Sequence, residues 1–377
     1  VEKSAAIKQK VTQGRPEPVD TYRNWQERQG IPIVRGFFVQ DISSVELAFW
    51  NFKGGPASFV NLDGTGDTND AYVCEIPPGS KLKPQKHLYE ELVYIARGHG
   101  ATTVWQNGSK KHTFEWQPGS MFAIPLNAWY QHFNGSSSEP ARYFAVTNAP
   151  FIINLFHDLD FIFENDYAFM KRFDPAEENY FSREGKLFGR FFLSTNFVAD
   201  THAIGLAEYE ERGAGNVNMK FDLAGQVMTA HLSEFPVGTY KKAHRHGPGA
   251  HVIILTGQGY SVLWPERQEM VRVDWKPGSV VVPPMLWFHQ HFNSGAAPAR
   301  YLAFRWNGWR YKFIRMGDSD GSSYTSVKEG GHQIEYEDED PSIHKDFESA
   351  MAEAGAVCQM RQYGHPLCGG GAGGQGL

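Results

Sequence analysis

The chain has 377 residues, which at about 100–200 residues per domain is two domains or three. Its 41% hydrophobic and 21% charged content supports sizeable cores and excludes disorder over most of its length. With 36 Lys and Arg against 42 Asp and Glu and no basic run, the formal charge of −6 argues against a nucleic-acid partner.

No apolar run reaches the roughly 18 residues that cross a bilayer, so no membrane partner is expected. The opening VEKSAAIKQK has no apolar signal-type core, and the expectation is a soluble, cytoplasmic protein. Residues 1–42 read as an N-terminal extension. From 43 to 150, AYVCEI, LVYIA, MFAIP and RYFAV are short β-branched or aromatic runs between Gly/Pro punctuation. A linker, 151–201, follows, in which Phe156–Phe173 has apolar residues at helical spacing and predicts a helix. From 202 to 310, MTAHL, HVIIL, YSVLW, SVVVP and RYLAF repeat the strand pattern. The C-terminal extension, 311–377, holds an acidic run at Glu335–Asp340 and a predicted helix near Ser342–Ala354 with Ser342 as its cap. It ends in a flexible tail, GGGAGGQGL. Cys74, Cys358 and Cys368 are too few and too scattered for a disulfide framework or a Cys-type zinc site.

The chain is written twice. A shift of 159 residues sets IPPGSKLKPQKH, ending at His87, on FPVGTYKKAHRH, ending at His246. The same shift sets WQPGSMFAIP on WKPGSVVVPP and YQHFN on HQHFN, and one deletion later PARYFA meets PARYLA. Many short strands at even spacing predict a sandwich or barrel for each copy.

The second copy carries the chemistry. Gly238 is followed after five residues by His244, then Arg245, His246 and, after four more residues, His251. Gly278 is followed after five residues by Pro284, then by His289 and Asn293. Residues two apart on a strand share a face, so His244 and His246 can grip one ion from one wall. His289 would come from a second strand, and His251 is placed to close the site. In the first copy Gln85, His87, Glu91 and Tyr130 hold the corresponding places. An amide and a phenol are poor ligands beside imidazole, so this degenerate site is expected to bind metal weakly or not at all. His132 and His291 recur in both copies, which reads as packing or hydrogen bonding. His291 and Arg305 are still the catalytic candidates, Arg305 as a carboxylate binder.

Both copies resemble the cupin superfamily, whose motifs run G-x5-H-x-H-x3–4-E-x6-G and G-x5-P-x-G-x2-H-x3-N. In the second copy His251 stands where the family has Glu, and Leu286 replaces the Gly of the second motif. The resemblance implies an all-β bicupin. It would have two tandem double-stranded β-helix (jelly-roll) barrels, a helical inter-domain linker and a helical C-terminal extension. It also implies a homo-oligomer, dimer or larger.

Neutral imidazoles leave a divalent ion its full charge, which favours a small anionic substrate with two oxygen ligands. Four ligands on an octahedron leave two adjacent positions for such a chelate, or for substrate plus O2. One divalent metal per chain is expected, Fe(II) first, with Mn, Ni, Cu or Zn also compatible. Gentisate-type ring-cleaving bicupins, in which Fe(II) holds both the aromatic acid and oxygen, supply the functional analogy. In them the N-terminal half carries the iron, whereas here the C-terminal half would. The implied function is a metal-dependent oxygenase cleaving a C–C bond of a small anionic, including aromatic, substrate. The alternatives are a non-redox isomerase, lyase or decarboxylase, and a non-catalytic small-molecule-binding cupin.

Overall fold

The computed structural model describes residues 15–369 except 66, 248, 307, 309 and 312–321; the tail beyond 369 lies outside the described residues. Among the described residues each half of the chain is a pair of sheets, eight- and three-stranded in the first half and nine- and five-stranded in the second. In the first half the large sheet runs Ile33–Gly36, Gly55–Leu62, Asp70–Ile76, Ala141–Thr147, Glu91–Arg97 and Met121–Ile124. Its small partner is built from Trp129–Asn134, Gly100–Trp105 and His112–Trp116. The second half repeats this, with Thr229–Phe235, Ala299–Arg305 and His251–Thr256 central and Phe288–Asn293 flanked by Gly259–Trp264 and Ala243–His244.

Exposure follows which faces are covered. His112–Trp116 alternates buried and exposed because only one face meets the core. Asp70–Ile76 is buried almost throughout, one face inside its barrel and the other against the second half. The hydrophobic core accordingly continues from Val73, Leu92 and Phe144 into Phe221, Ile253, Leu302 and Phe304.

The two halves exchange edge strands. Phe38–Val39, from the N-terminal extension, pairs with Val280–Val281 of the second barrel. Phe197–Val198, from the linker, pairs with Met121–Ile124 of the first. These are the same strand of the repeat, since Phe38 and Phe197 are 159 residues apart. The flanking bonds are reciprocal too: Ile42 N donates to Gly278 O and Thr201 N to Gly119 O, both at 2.9 Å. Both glycines need their left-handed backbone (φ 90° and 86°), and a Cβ at Gly278 would stand 2.9 Å from Asp41 Oδ1.

The helices differ from expectation. Within the predicted Phe156–Phe173 helix only α3 (Leu159–Glu164) forms; α2 (Ala149–Phe156) precedes it, and the two are separated at His157 with φ 54°. Beyond Glu164 the chain leaves the helix because the first barrel's rim captures its carbonyls. Lys86 Nζ donates to Asn165 O at 2.9 Å, and Asn127 Nδ2 to Asn165 O and Tyr167 O at 3.0 and 2.9 Å. A helix absent from the sequence reading, α1 (Thr21–Glu27), starts at an Asp20 cap. The C-terminal helix, α4, spans Pro341–Glu353, and its cap is Asp340 rather than Ser342, which occupies the first turn after Pro341. No described helix is long and apolar enough to cross a membrane.

Candidate metal centre

Three of the four predicted ligands converge inside the second barrel. His244 ends the short strand Ala243–His244 and pairs directly with His289 in Phe288–Asn293. His246 follows two residues on. The ring centroids lie 4.3 Å apart for His244 and His289, 5.0 Å for His246 and His289, and 5.6 Å for His244 and His246. One nitrogen from each ring falls within 4.8 Å of the others. His244 Nδ1 lies 3.2 Å from Lys242 O, and His289 Nδ1 lies 3.2 Å from Trp287 O. A carbonyl only accepts, so each Nδ1 carries the proton and Nε2 is the acceptor nitrogen of each ring. With His246 they make a three-imidazole donor set that fits a divalent transition metal.

His251 is not part of this set. Its neighbours Ala250 and Val252 line the cavity, whereas His251 and Ile253 face the first half of the chain. Side chains alternate along a strand, so one residue of slip moves a ligand to the opposite face. Asn69 Nδ2 lies 3.3 Å from His251 Nδ1, and the ring stands 6.0 Å from Phe144. Burial holds its pKa down at about 3, so it is a neutral residue of the interface between halves. The place of Glu91 in the repeat belongs to Ala250, 159 residues on.

Around the triad the cavity wall is rich in basic side chains. Arg212, Lys220, Lys241 and Arg305 line it, and no Asp or Glu is among its described lining residues. Arg305, a sequence candidate, therefore does face the site. Arg212 binds Ser323 O, Ser323 Oγ and Gln333 Oε1, fastening the C-terminal extension over this side. Lys241 Nζ donates to Ser233 Oγ at 2.5 Å and Tyr301 Oη at 2.9 Å. Burial, with the Arg212 charge nearby, pushes the Lys241 pKa far down. Sequence reasoning missed Lys241, although it sits in the histidine motif.

His291 also lines the cavity, behind His289 at a ring separation of 5.8 Å. Trp275 Nε1 donates to Ser261 Oγ at 3.0 Å, and Ser261 Oγ stands 2.7 Å from His291 Nδ1. Ser261 Oγ accepts from Trp275 and keeps its own proton to donate to His291 Nδ1, the tautomer that places the His291 proton on Nε2. Burial, then the neighbouring His289 and Lys241, keeps His291 neutral. The first half repeats this chain as Trp116, Thr102 and His132.

In the first barrel the corresponding place is filled by the protein itself. Lys53 Nζ stands 2.5 Å from Tyr130 Oη and 3.9 Å from Glu91 Oε2. His87 Nε2 lies 3.1 Å from Glu91 Oε2 and 3.2 Å from Tyr130 Oη, and Tyr72 Oη donates to Glu91 Oε1 at 2.7 Å. Gln85 turns its amide to Phe52 O at 2.8 Å. Burial would raise the Glu91 pKa, but the Lys53 charge and the His87 contact outweigh it and hold it at about 2. A fixed ammonium thus stands among the residues that correspond to the second barrel's ligands. The repeat carries the signal for it, since Lys53 corresponds to Arg212.

The cupin domain family matches residues 72–147. Among curated proteins, 5-aminosalicylate 1,2-dioxygenase from a Comamonas species is 28% identical over 102 residues. That alignment covers 26% of this chain and 25% of the enzyme, so the chain spans about a quarter of the relative it matches. Among solved structures, the formate complex of Lactobacillus farciminis oxalate decarboxylase superposes with a TM-score of 0.50 at 13% identity, covering 78% of this chain and 92% of that one. A deletion mutant of the Bacillus subtilis oxalate decarboxylase gives a TM-score of 0.47 at 13% identity, covering 80% and 87%. At such identity the likeness is one of fold. With the cupin domain family matched over residues 72–147 in the first half and the same barrel repeated around a histidine triad in the second, the chain carries a cupin domain and has a two-barrel, bicupin fold.

Proposed function

We propose that the chain is a metal-dependent oxygenase that cleaves a C–C bond of a small anionic substrate, aromatic acids included, at the second barrel. The observation that carries this reading is a three-histidine site in a cavity lined by Arg212, Lys220, Lys241 and Arg305. Three neutral imidazoles leave three octahedral positions open, one more than the four-histidine set would, enough for a bidentate carboxylate–hydroxyl chelate plus O2. Fe(II) is the metal we assign, and bound there it would supply Lewis acidity and the redox change that O2 chemistry requires. Arg305 and Lys220 hold the substrate's negative charge. The Nε2–H of His291 donates to a substrate oxygen, and Lys241, whose charged form burial disfavours, can take up or return a proton. The curated dioxygenase relative supports oxygen chemistry over a quarter of that enzyme's length. We further assign the chain to the cytoplasm as a homo-oligomer paired through the edge strand Lys186–Phe188, where Leu187 and Phe188 are exposed.

The test is oxygen uptake by Fe(II)-loaded protein against hydroxy- and aminobenzoates and small hydroxy acids, with His244→Ala as control. Substrate-dependent uptake that the variant loses supports the reading, and turnover that continues unchanged under strict anaerobiosis overturns it. That second result would favour a lyase or isomerase, for which Lys241 and His291 already offer proton-handling groups beside the triad.

A further inference from the structure

The C-terminal extension folds against the outside of the second barrel. Helix α4 sets Ile343, Phe347 and Met351 into a cluster with Tyr240, Tyr260 and Phe292. On the same helix His344 and Glu348 are four residues apart and share a face, with Glu348 Oε1 3.4 Å from His344 Nε2. Past the helix the chain turns at Gly355 (φ 67°) and is pinned by Gln359 N donating to Gly238 O at 2.8 Å. A final turn, Pro366–Gly369, returns Cys368 to the helix, its Sγ 3.2 Å from His344 Nε2. Cys358 completes the group, and the ligand atoms of His344, Cys358 and Cys368 all lie within 4.8 Å of one another.

The hydrogen bonds behind His344 decide which of its nitrogens is bare. Leu367 N donates to His365 Nδ1 at 3.3 Å, so His365 carries its proton on Nε2, shared between Tyr240 Oη at 2.7 Å and Glu339 Oε1 at 3.0 Å. Tyr240 donates to Glu339 Oε1 at 2.5 Å and so accepts from His344 Nδ1 at 3.0 Å. With Nδ1 protonated, His344 Nε2 presents a lone pair to two sulfurs and a carboxylate. A lone pair and a carboxylate 3.4 Å apart repel unless a proton or a metal cation lies between them. An imidazole held through its other N–H by a phenol–carboxylate relay is the arrangement of a metal ligand.

We propose that His344 Nε2, Cys358 Sγ and Cys368 Sγ form a structural zinc site that clamps the C-terminal extension to the second barrel, with the half-exposed Glu348 turning in from the same helix as fourth ligand. Two thiolates, an imidazole and a carboxylate suit tetrahedral Zn(II), and four protein ligands leave no open position for chemistry. Binding displaces one proton from each thiol to solvent and changes no oxidation state. The site is independent of the histidine triad, whose ligands are all nitrogen, and does not rest on the oxygenase reading. Its role is to hold the extension whose Ser323 and Gln333 engage Arg212 at the cavity.

The test uses the full chain, stripped with chelator under reducing conditions and titrated with Co(II). Thiolate ligation gives intense sulfur-to-cobalt charge-transfer absorption, which an all-histidine site cannot produce. The band should appear at one equivalent, survive in His244→Ala, and vanish in Cys358→Ser/Cys368→Ser with the loss of one zinc per chain from protein as isolated. Cys74 is buried in the first barrel and remains in every variant as an internal control. If the double variant fails to fold, Glu348→Gln keeps the test open, since it should weaken Co(II) binding at least tenfold without removing the band. Absence of the band in wild-type protein, its persistence in the double variant, or a Cys358–Cys368 disulfide in protein as isolated overturns the proposal.

Discussion

Replacing Lys53 by methionine removes the buried cation, whose Nζ lies 4.9 Å from the Tyr72 ring centroid, while keeping an unbranched apolar side chain. Lys53 and Glu91 side chains are 1% and 0% exposed, so the carboxylate left behind has no solvent to turn to. A carboxyl held down to about 2 against its ordinary 4.5 is worth about 3 kcal/mol at neutral pH. Breaking a buried pair on one side costs about 3–5 kcal/mol, and the two figures agree in size. For a cooperative unit of one half of this chain the loss should lower Tm by about 10 °C. The pH dependence gives the sharper readout. In the native protein the depressed Glu91 contributes stability above its unfolded pKa, lost as pH falls from 4.5 towards 2. In Lys53→Met burial dominates and lifts the folded pKa above 4.5, so the variant should gain on wild type as pH falls from 7 to 4.5. Urea unfolding at pH 7 and pH 4.5 measures both. The double change Lys53→Met/Glu91→Leu should recover most of the loss, because an apolar pair leaves no buried charge. A single variant within about 1 kcal/mol of wild type at both pH values would refute the role given to this ion pair.

Elemental analysis should find that His244→Ala or His246→Ala empties the second barrel of metal, while Gln85→Ala leaves metal content unchanged. His251→Leu should keep the metal and lose about 1 kcal/mol with the Asn69 contact, measured by denaturant unfolding. Arg305→Met should raise KM for the carboxylate substrate about 10–100-fold, as expected when a charged hydrogen bond is lost, with far less change in kcat. Gly278→Ala should cost about 1–3 kcal/mol, because φ is 90° there and the new methyl meets Asp41.

The sequence by itself determined the doubled β architecture, the linker and C-terminal helices in outline, and the histidines that meet in the second barrel. These are written in local spacing: strand alternation, Gly/Pro turns and the constant displacement between the copies. The repeat also held the correction to the ligand set, because Glu91 falls on Ala250 and not on His251, but motif spacing alone placed the ligand one residue too far. Tertiary structure decided what depends on residues far apart in the chain. Lys53 reaches Tyr130 across 77 residues to fill the first barrel with its own cation. Phe38–Val39 and Phe197–Val198 cross to the opposite half, where each completes the other's sheet. Cys358 and Cys368, scattered by any sequence count, close on His344 only because α4 docks on the barrel and the chain turns back after it. Short-range periodicity fixes which face a side chain takes within an element, whereas the partner it meets there depends on strand register and packing between elements, which no local pattern encodes.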